Sequence, residues 1–319
     1  MRKAVLLYNP DSGGSKQRQR ELQAALSILR DAGVEADLLP TESRDHAGDE
    51  ARLAVAGGCD TVFACGGDGT INNIAQVLAK TSIALGILPI GTANALARDL
   101  RIPRNIPAAA KCALHANPKR IALGQITCLN LDGKTETRFF VIAAGVGVDA
   151  HLFYKLHTDT KQRLGMAAYY AKAWHMWFTY PMSRFRAVYN EPGDSTVKNA
   201  DVTELMAVRI RNFGGVVREL APGASLDRND LRVILCHTGH RVAYLAYVTR
   251  SVLRRTWQVP GIELAYMAKV SCEYVRKPGA EVLQPKIYVE ADGELIGSLP
   301  AEITIVPDAL TLLAPSAGA

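Results

Sequence analysis

The five residues Gly66-Gly67-Asp68-Gly69-Thr70 are suited to holding an anion. An apolar run at 61–65 precedes them and an amphipathic run at 71–78 follows, so a buried strand leads in and a helix leads out. Three glycines permit positive φ and leave no Cβ between the backbone N–H groups and an approaching ligand. A helix beginning near Thr70 aims its first N–H groups and the positive end of its dipole at the same spot, which suits phosphate. Asp68 would repel a phosphate unless a divalent cation lay between them, and that argues for Mg2+ with a nucleotide. The same pentapeptide also reads as a plain strand-to-helix turn with Asp68 as its N-cap.

Two further loops have the same placement. Residues 4–8 form a buried strand that ends in Asn9-Pro10-Asp11-Ser12-Gly13-Gly14, and a helix with Leu22, Ala25, Leu26 and Leu29 on one face follows. A strand at 84–88 ends in Pro89-Ile90-Gly91-Thr92-Ala93-Asn94, again before a helix. With a strand at 34–39 and a helix at 45–56 between them, the order is β-α-β-α. That order predicts a parallel sheet with its ligand site at the carboxyl ends of the strands, where the three loops meet.

After residue 119 the rhythm changes. Strands are expected at 121–130 and 137–144, joined by the hairpin signal Asp132-Gly133, then at 184–189, 202–210, 231–236, 263–273, 286–290 and 302–306. Many short strands with turns between them predict a β-rich, antiparallel sandwich-like second domain.

The net charge of +6 is unevenly spread, with residues 151–186 and 241–278 each carrying +5. Local positive charge of this size fits an anionic membrane surface or nucleic acid. Both windows contain amphipathic helical patterns. Residues 161–181 carry aromatics at helical spacing, and 240–257 carry Val242, Leu245, Val248 and Val252 on one side with Arg250 and Arg254 on another. Each reads either as a core-packing helix with a solvated basic face or as a surface resting on a bilayer. Six widely spaced cysteines without metal or redox spacing read as buried thiols in a reducing, cytoplasmic setting. No run of about 18 apolar residues is present.

Neither a P-loop nor a Rossmann glycine fingerprint occurs. The ordered set is Asn9-Pro10 with Ser12-Gly13-Gly14, residues 66–70, Gly91-Thr92 with Asn94, Gly145-x-Gly147 with Asp149, Ala221-Pro222-Gly223-Ala224, and Asp292-Gly293-Glu294. In that order and spacing it resembles the diacylglycerol kinase and sphingosine kinase superfamily, in particular its soluble bacterial branch, over nearly the whole chain. The resemblance implies an α/β ATP-binding domain at 1–120, rejoined by 300–319, and a β-rich lipid-binding domain at 121–299, with the site in the cleft between them. It implies ATP and Mg2+ held by Asn9, Ser12, Gly13, Gly14, Gly66, Gly67, Asp68, Gly69, Thr70, Gly91, Thr92 and Asn94, with Asp68 on the metal. It makes Asp292 the general base, supported by Glu294. The partners expected are a lipid substrate and an anionic membrane surface rather than nucleic acid, and a homodimer is left open.

The sequence departs from the family pattern in places. Ala95 and Ala122 stand where relatives often carry Asp, and residues 225–232 replace an Asp-Gly-x-Leu-Asp pattern with Arg at both acidic positions. Asp227 and Asp230 remain candidates for a structural cation, beside the plainer reading of a solvated turn. Two alternatives stay open: an NAD kinase, which has a similar glycine-Asp turn, and a lipid or nucleotide sensor without turnover, suggested by the two alanines. The Asn-Pro start and the Asp-Gly-Glu end weigh against the first, and the intact Asp68 and Asp292 against the second.

Overall fold

The structure, a computed structural model, describes residues 1–10, 16–41, 46–91, 93–148, 150, 182–214, 219–275 and 285–315. The chain divides into two compact units. Unit 1 comprises Met1–Leu123, Asn212–Arg218 and Val306–Ala319, and unit 2 comprises Gly124–Arg211 and Glu219–Ile305. The first unit is α/β with parallel strands and the second is β-rich.

In unit 1, β1 (Lys3–Tyr8), α1 (Lys16–Asp31), β2 (Glu35–Pro40), α2 (Ala47–Ala56), β3 (Thr61–Gly66), α3 (Asp68–Leu78) and β4 (Ala84–Pro89) alternate as the periodicity predicts. The strands run parallel in the order β4-β3-β1-β2. Every residue of β3 and β4 is buried, because helices cover both faces of a parallel sheet, whereas β2 at the edge is largely exposed. The helix expected after Asn94 comes in two pieces, a short α4 (Ala95–Asp99) and α5 (Ile106–Leu114). Asn105 caps the second by accepting a hydrogen bond from Ala108 N (2.9 Å). Residues 212–218, expected in the second domain, belong to this unit, and Asn212 N donates to Asp99 Oδ1 (2.8 Å).

Unit 2 begins within β5 (Asn117–Asn130), which pairs antiparallel with β6 (Thr135–Phe140). The strand expected at 137–144 is in fact two, because it breaks at Val141 and Ile142 before β7 (Ala143–Gly147). The strands β8 (Phe185–Asn190), β9 (Lys198–Val202), β10 (Glu204–Val208) and β11 (Leu231–Cys236) follow. A helix, α6 (Arg241–Val252), comes next. The strand expected at 263–273 is also two, β12 (Ile262–Met267) and β13 (Lys269–Tyr274). Their partners explain the break: β12 pairs with β11, and β13 with β8.

The unit is completed by β14 (Tyr288–Ala291) and the long β15 (Glu294–Ala314), whose last residues belong to unit 1. β7 lies between β10 and β14, all antiparallel. A core built around Phe140, Phe185, Val202, Leu205, Val270 and Ile303 fills the unit. Among the described residues no helix is long and apolar enough to cross a membrane.

Candidate active site

Unit 1 gathers its loop residues at the carboxyl ends of neighbouring strands. Asn9 follows β1, Gly66 closes β3, and Gly91 lies just beyond β4, in strands that stand side by side. Gly67 takes the N-cap position of α3 in extended backbone (φ −97°, ψ −173°), so the first-turn N–H groups of Asp68, Gly69 and Thr70 lack acceptors within the helix.

Gly66 and Gly91 are required for space, and no glycine of these two turns has positive φ, contrary to the expectation from sequence. A Cβ on Gly66 would come within 2.5 Å of Thr70 Oγ1, and one on Gly91 within 2.6 Å of Gly67 Cα. The two loops therefore touch backbone to backbone, with Ile90 N and Gly91 N donating to Gly66 O (2.9 and 3.3 Å), and Asn94 ties down its own loop. Asn94 sits in the left-handed region (φ 49°), is buried, and donates from Nδ2 to Gly91 O (2.6 Å). Asp68 is half-buried at the first position of α3, one residue past the N-cap, and its Oδ1 accepts from Leu96 N (3.3 Å) in α4. Ser12, Gly13, Gly14 and Thr92 lie outside the described residues, as do Asp149 and the helical pattern at 161–181.

A triphosphate with one divalent ion fits what is present. The backbone at Gly66 and Gly91 is bare where a side chain would clash, and Asp68 offers one carboxylate of the kind Mg2+ takes beside phosphate oxygens.

In unit 2, Asp292 and Gly293 both have positive φ (49° and 79°) and form the two-residue turn between β14 and β15. The Asp292 carboxylate accepts three backbone hydrogen bonds: Val141 N to Oδ2 (2.9 Å), and Ile142 N and Ala143 N to Oδ1 (2.8 and 3.0 Å). This is why the strand breaks at 141–142, since those N–H groups point to a carboxylate instead of to a neighbouring strand. Three N–H donors complement an ionised carboxylate and fix its orientation. Glu294 opens β15, half-buried and paired with Ala291.

Sequence reasoning missed Glu290. It is only 3% exposed, and its Oε2 accepts from Gly293 N (2.8 Å), so a buried carboxylate holds the turn from below. The available signal was an acidic residue inside an otherwise buried strand, two positions before Asp292. Glu204 is likewise buried and accepts from Val148 N beside Gly147, where a Cβ would meet Thr203 O at 2.6 Å.

Asp227 and Asp230, candidates for a structural cation beside the plainer reading of a solvated turn, lie in a loop tied together by hydrogen bonds of its own. Asp230 takes a two-pronged ion pair from Arg228 (both contacts 2.6 Å), and the loop's inward carbonyls accept from the buried guanidinium of Arg209. Of the two readings of the basic helix, the core-packing one does not hold, because its apolar side is exposed. In α6 the buried side is Tyr244, Tyr247, Arg250 and Ser251, while Val242 is 77% exposed, with Leu245, Val248 and Val252 exposed beside it. Tyr244 bonds Thr203 Oγ1 (2.7 Å), Tyr247 donates to Leu220 O (2.7 Å), and Arg250 lies over the Tyr247 ring. Burial pushes the Tyr247 phenol up to about 12. Those hydrogen bonds reward burying tyrosines that the valines cannot match. Five of the six cysteines are buried and Cys112 is half-buried, and none is in a disulfide.

Residues 3–126 match the family described as the diacylglycerol kinase catalytic domain. Residues 142–314, more than half of the chain, match the YegS C-terminal NAD kinase beta sandwich-like domain. The chain belongs to the diacylglycerol kinase superfamily. This kinase is 27% identical over 317 residues to a diacylglycerol kinase of Staphylococcus aureus (strain bovine RF122 / ET3-1), covering 99% of this chain and 93% of the relative. It is 27% identical over 305 residues to a diacylglycerol kinase of Bacillus subtilis (strain 168), covering 95% and 93%.

The fold is that of a diacylglycerol kinase crystal structure from Bacillus anthracis str. Sterne, with TM-score 0.70, 18% identity and coverage of 99% and 98%. It is also similar to yeast NADH kinase complexed with NADH, with TM-score 0.52, 8% identity and coverage of 99% and 84%. Membership in a kinase family suggests ATP as the phosphoryl donor of this kinase.

Proposed function

We propose that the chain is an ATP- and Mg2+-dependent kinase that phosphorylates the hydroxyl of a membrane lipid of the diacylglycerol type. The observation that carries the reaction type is the glycine turn at the start of α3, with bare backbone, first-turn N–H groups and Asp68 in one place. Bound there, Mg-ATP supplies a γ-phosphoryl group whose charge the cation spreads. The N–H groups of residues 68–70 orient the phosphates, and Asp68 holds the cation. Asp292, held by Val141, Ile142 and Ala143, takes the proton of the lipid hydroxyl, and Glu294 supports it. The lipid acceptor is inferred from relatives named diacylglycerol kinase.

A second reading, an NAD kinase, is favoured by the likeness to yeast NADH kinase. Supplying labelled ATP and Mg2+ with diacylglycerol, a sphingoid base and ceramide in mixed micelles, plus NAD, separates the two. Label in diacylglycerol alone is the expected result. Label in NADP alone would remove the lipid reading, and label in no acceptor would favour a non-catalytic sensor.

A membrane-lipid substrate needs a way onto the bilayer, and the proposed contact is the outward side of α6 with the residues after it. Val242, Val248, Leu253 and Trp257 are exposed there beside the exposed cations Arg254 and Arg255. Apolar side chains and Trp with flanking Arg complement an anionic lipid surface, which supports the reading of a peripherally attached cytoplasmic protein.

A further inference from the structure

Arg209 is the bulkiest fully buried side chain among the described residues, 1% exposed, one residue beyond β10. Its Nη1 donates to Arg228 O (2.9 Å) and Asp230 O (2.6 Å), and its Nη2 to Leu226 O (3.3 Å). Three carbonyl oxygens from one five-residue loop thus converge on one positive charge, with the Asp227 and Asp230 carboxylates acting on it electrostatically. Carbonyl oxygens turned toward one centre, with carboxylates in the same loop, are ligands of the kind a hard cation such as Mg2+ or Ca2+ takes. Here that centre is filled by a guanidinium belonging to the chain.

The two occupants exclude each other. A metal ligated by these oxygens sits about 2.0–2.6 Å from each, a space the guanidinium nitrogens already take, and its charge would repel theirs. Burial lowers the Arg209 guanidinium to about 10, which leaves it charged at neutral pH. The rest of the loop is held without metal as well. Arg232 Nε donates to Pro222 O (2.8 Å), and the Arg228 and Arg232 guanidiniums both lie over the Tyr266 ring, at 4.0 and 4.3 Å.

We infer that Arg209 is a resident cation standing in for a structural metal in the 226–230 loop, so that the order of this loop is independent of divalent ions. Any Mg2+ requirement then belongs to the nucleotide alone. The loop claim does not rest on the kinase reading, because it can be read in protein without nucleotide or lipid.

The test is thermal unfolding of the full chain without nucleotide, in EDTA and in millimolar MgCl2 or CaCl2 at matched ionic strength, with Asp68→Asn run alongside to remove the nucleotide-side carboxylate. The expected midpoints agree within about 1 °C in both proteins. A saturable rise of about 5 °C or more that persists in Asp68→Asn would place a metal in the loop and overturn the inference. Arg209→Lys keeps a charge at the centre and Arg209→Met does not. The lysine variant should melt clearly above the methionine variant, and equal melting would show that the side chain only fills volume. If Arg209→Met does not fold, a folded lysine variant is itself the expected difference, and failure of both counts against the inference.

Discussion

At the scale of single residues, Asp292 has two roles that substitution must separate. Its carboxylate accepts from three backbone N–H groups, and it is also the proposed base. Asp292→Asn sets an NH2 donor against at least one of those N–H donors, so the variant should lose about 1–3 kcal/mol of stability. It should also lose about 100-fold to 10,000-fold in kcat, the usual worth of a general base, with ATP binding kept. Calorimetry and steady-state kinetics read the two losses apart, and wild-type turnover would place the base elsewhere. The glycines offer a sharper contrast. A Cβ on Gly91 would lie 2.6 Å from Gly67 Cα, whereas one on Gly67 would lie 3.4 Å from Gly91 Cα, an ordinary contact. Gly91→Ala should therefore weaken ATP binding more than about tenfold, or 1.4 kcal/mol, by prying the two loops apart. Gly67→Ala should melt like the wild type. Equal behaviour of the two variants in nucleotide titrations would mean that the loops do not brace one another.

At the scale of elements, strand and helix order in the first unit was legible because local periodicity decides it, as with Leu22, Ala25, Leu26 and Leu29 on α1. What stayed hidden depends on partners distant in sequence. The break at Val141 and Ile142 is caused by a carboxylate about 150 residues later, and the split between β12 and β13 by their different neighbours. In α6 the apolar residues were legible but their direction was not, since Tyr244, Tyr247 and Arg250 win the buried side through hydrogen bonds and ring stacking. This helix therefore yields two opposite outcomes. Arg254→Gln with Arg255→Gln should weaken binding to anionic vesicles by roughly 1 kcal/mol per charge and leave the melting temperature unchanged. Arg250→Gln should lower the melting temperature and leave vesicle binding alone. Sedimentation with phosphatidylglycerol vesicles and a melting curve on each variant check both, and a loss of vesicle binding by Arg250→Gln alone would mean that Arg250 faces the membrane and not the interior.

At the scale of the whole molecule, the two units are not two consecutive stretches of chain. Unit 1 takes back residues 212–218 and the end of β15, so the α/β fold is completed by residues far along the chain from its first strands. Thr311 and Leu312 pair in parallel with Ala84 and Leu85 of β4, the strand that ends at the Pro89–Gly91 turn. Leu310, Leu312 and Leu313 are buried there, and the Arg120 guanidinium ties Thr81 O (2.5 Å) and Thr311 Oγ1 (3.1 Å) to Asp308 O. Each buried leucine is worth about 1.5–3 kcal/mol, so ending the chain at Ile305 should remove more than about 5 kcal/mol from unit 1. That is comparable to the entire stability of a typical domain. The truncated chain should thus lose ATP binding although Asn9, Asp68 and Asn94 are all present. Nucleotide titration followed by fluorescence checks this, and a truncated chain that binds ATP as the full chain does would mean that β1 to β4 with their helices stand without the closing strand.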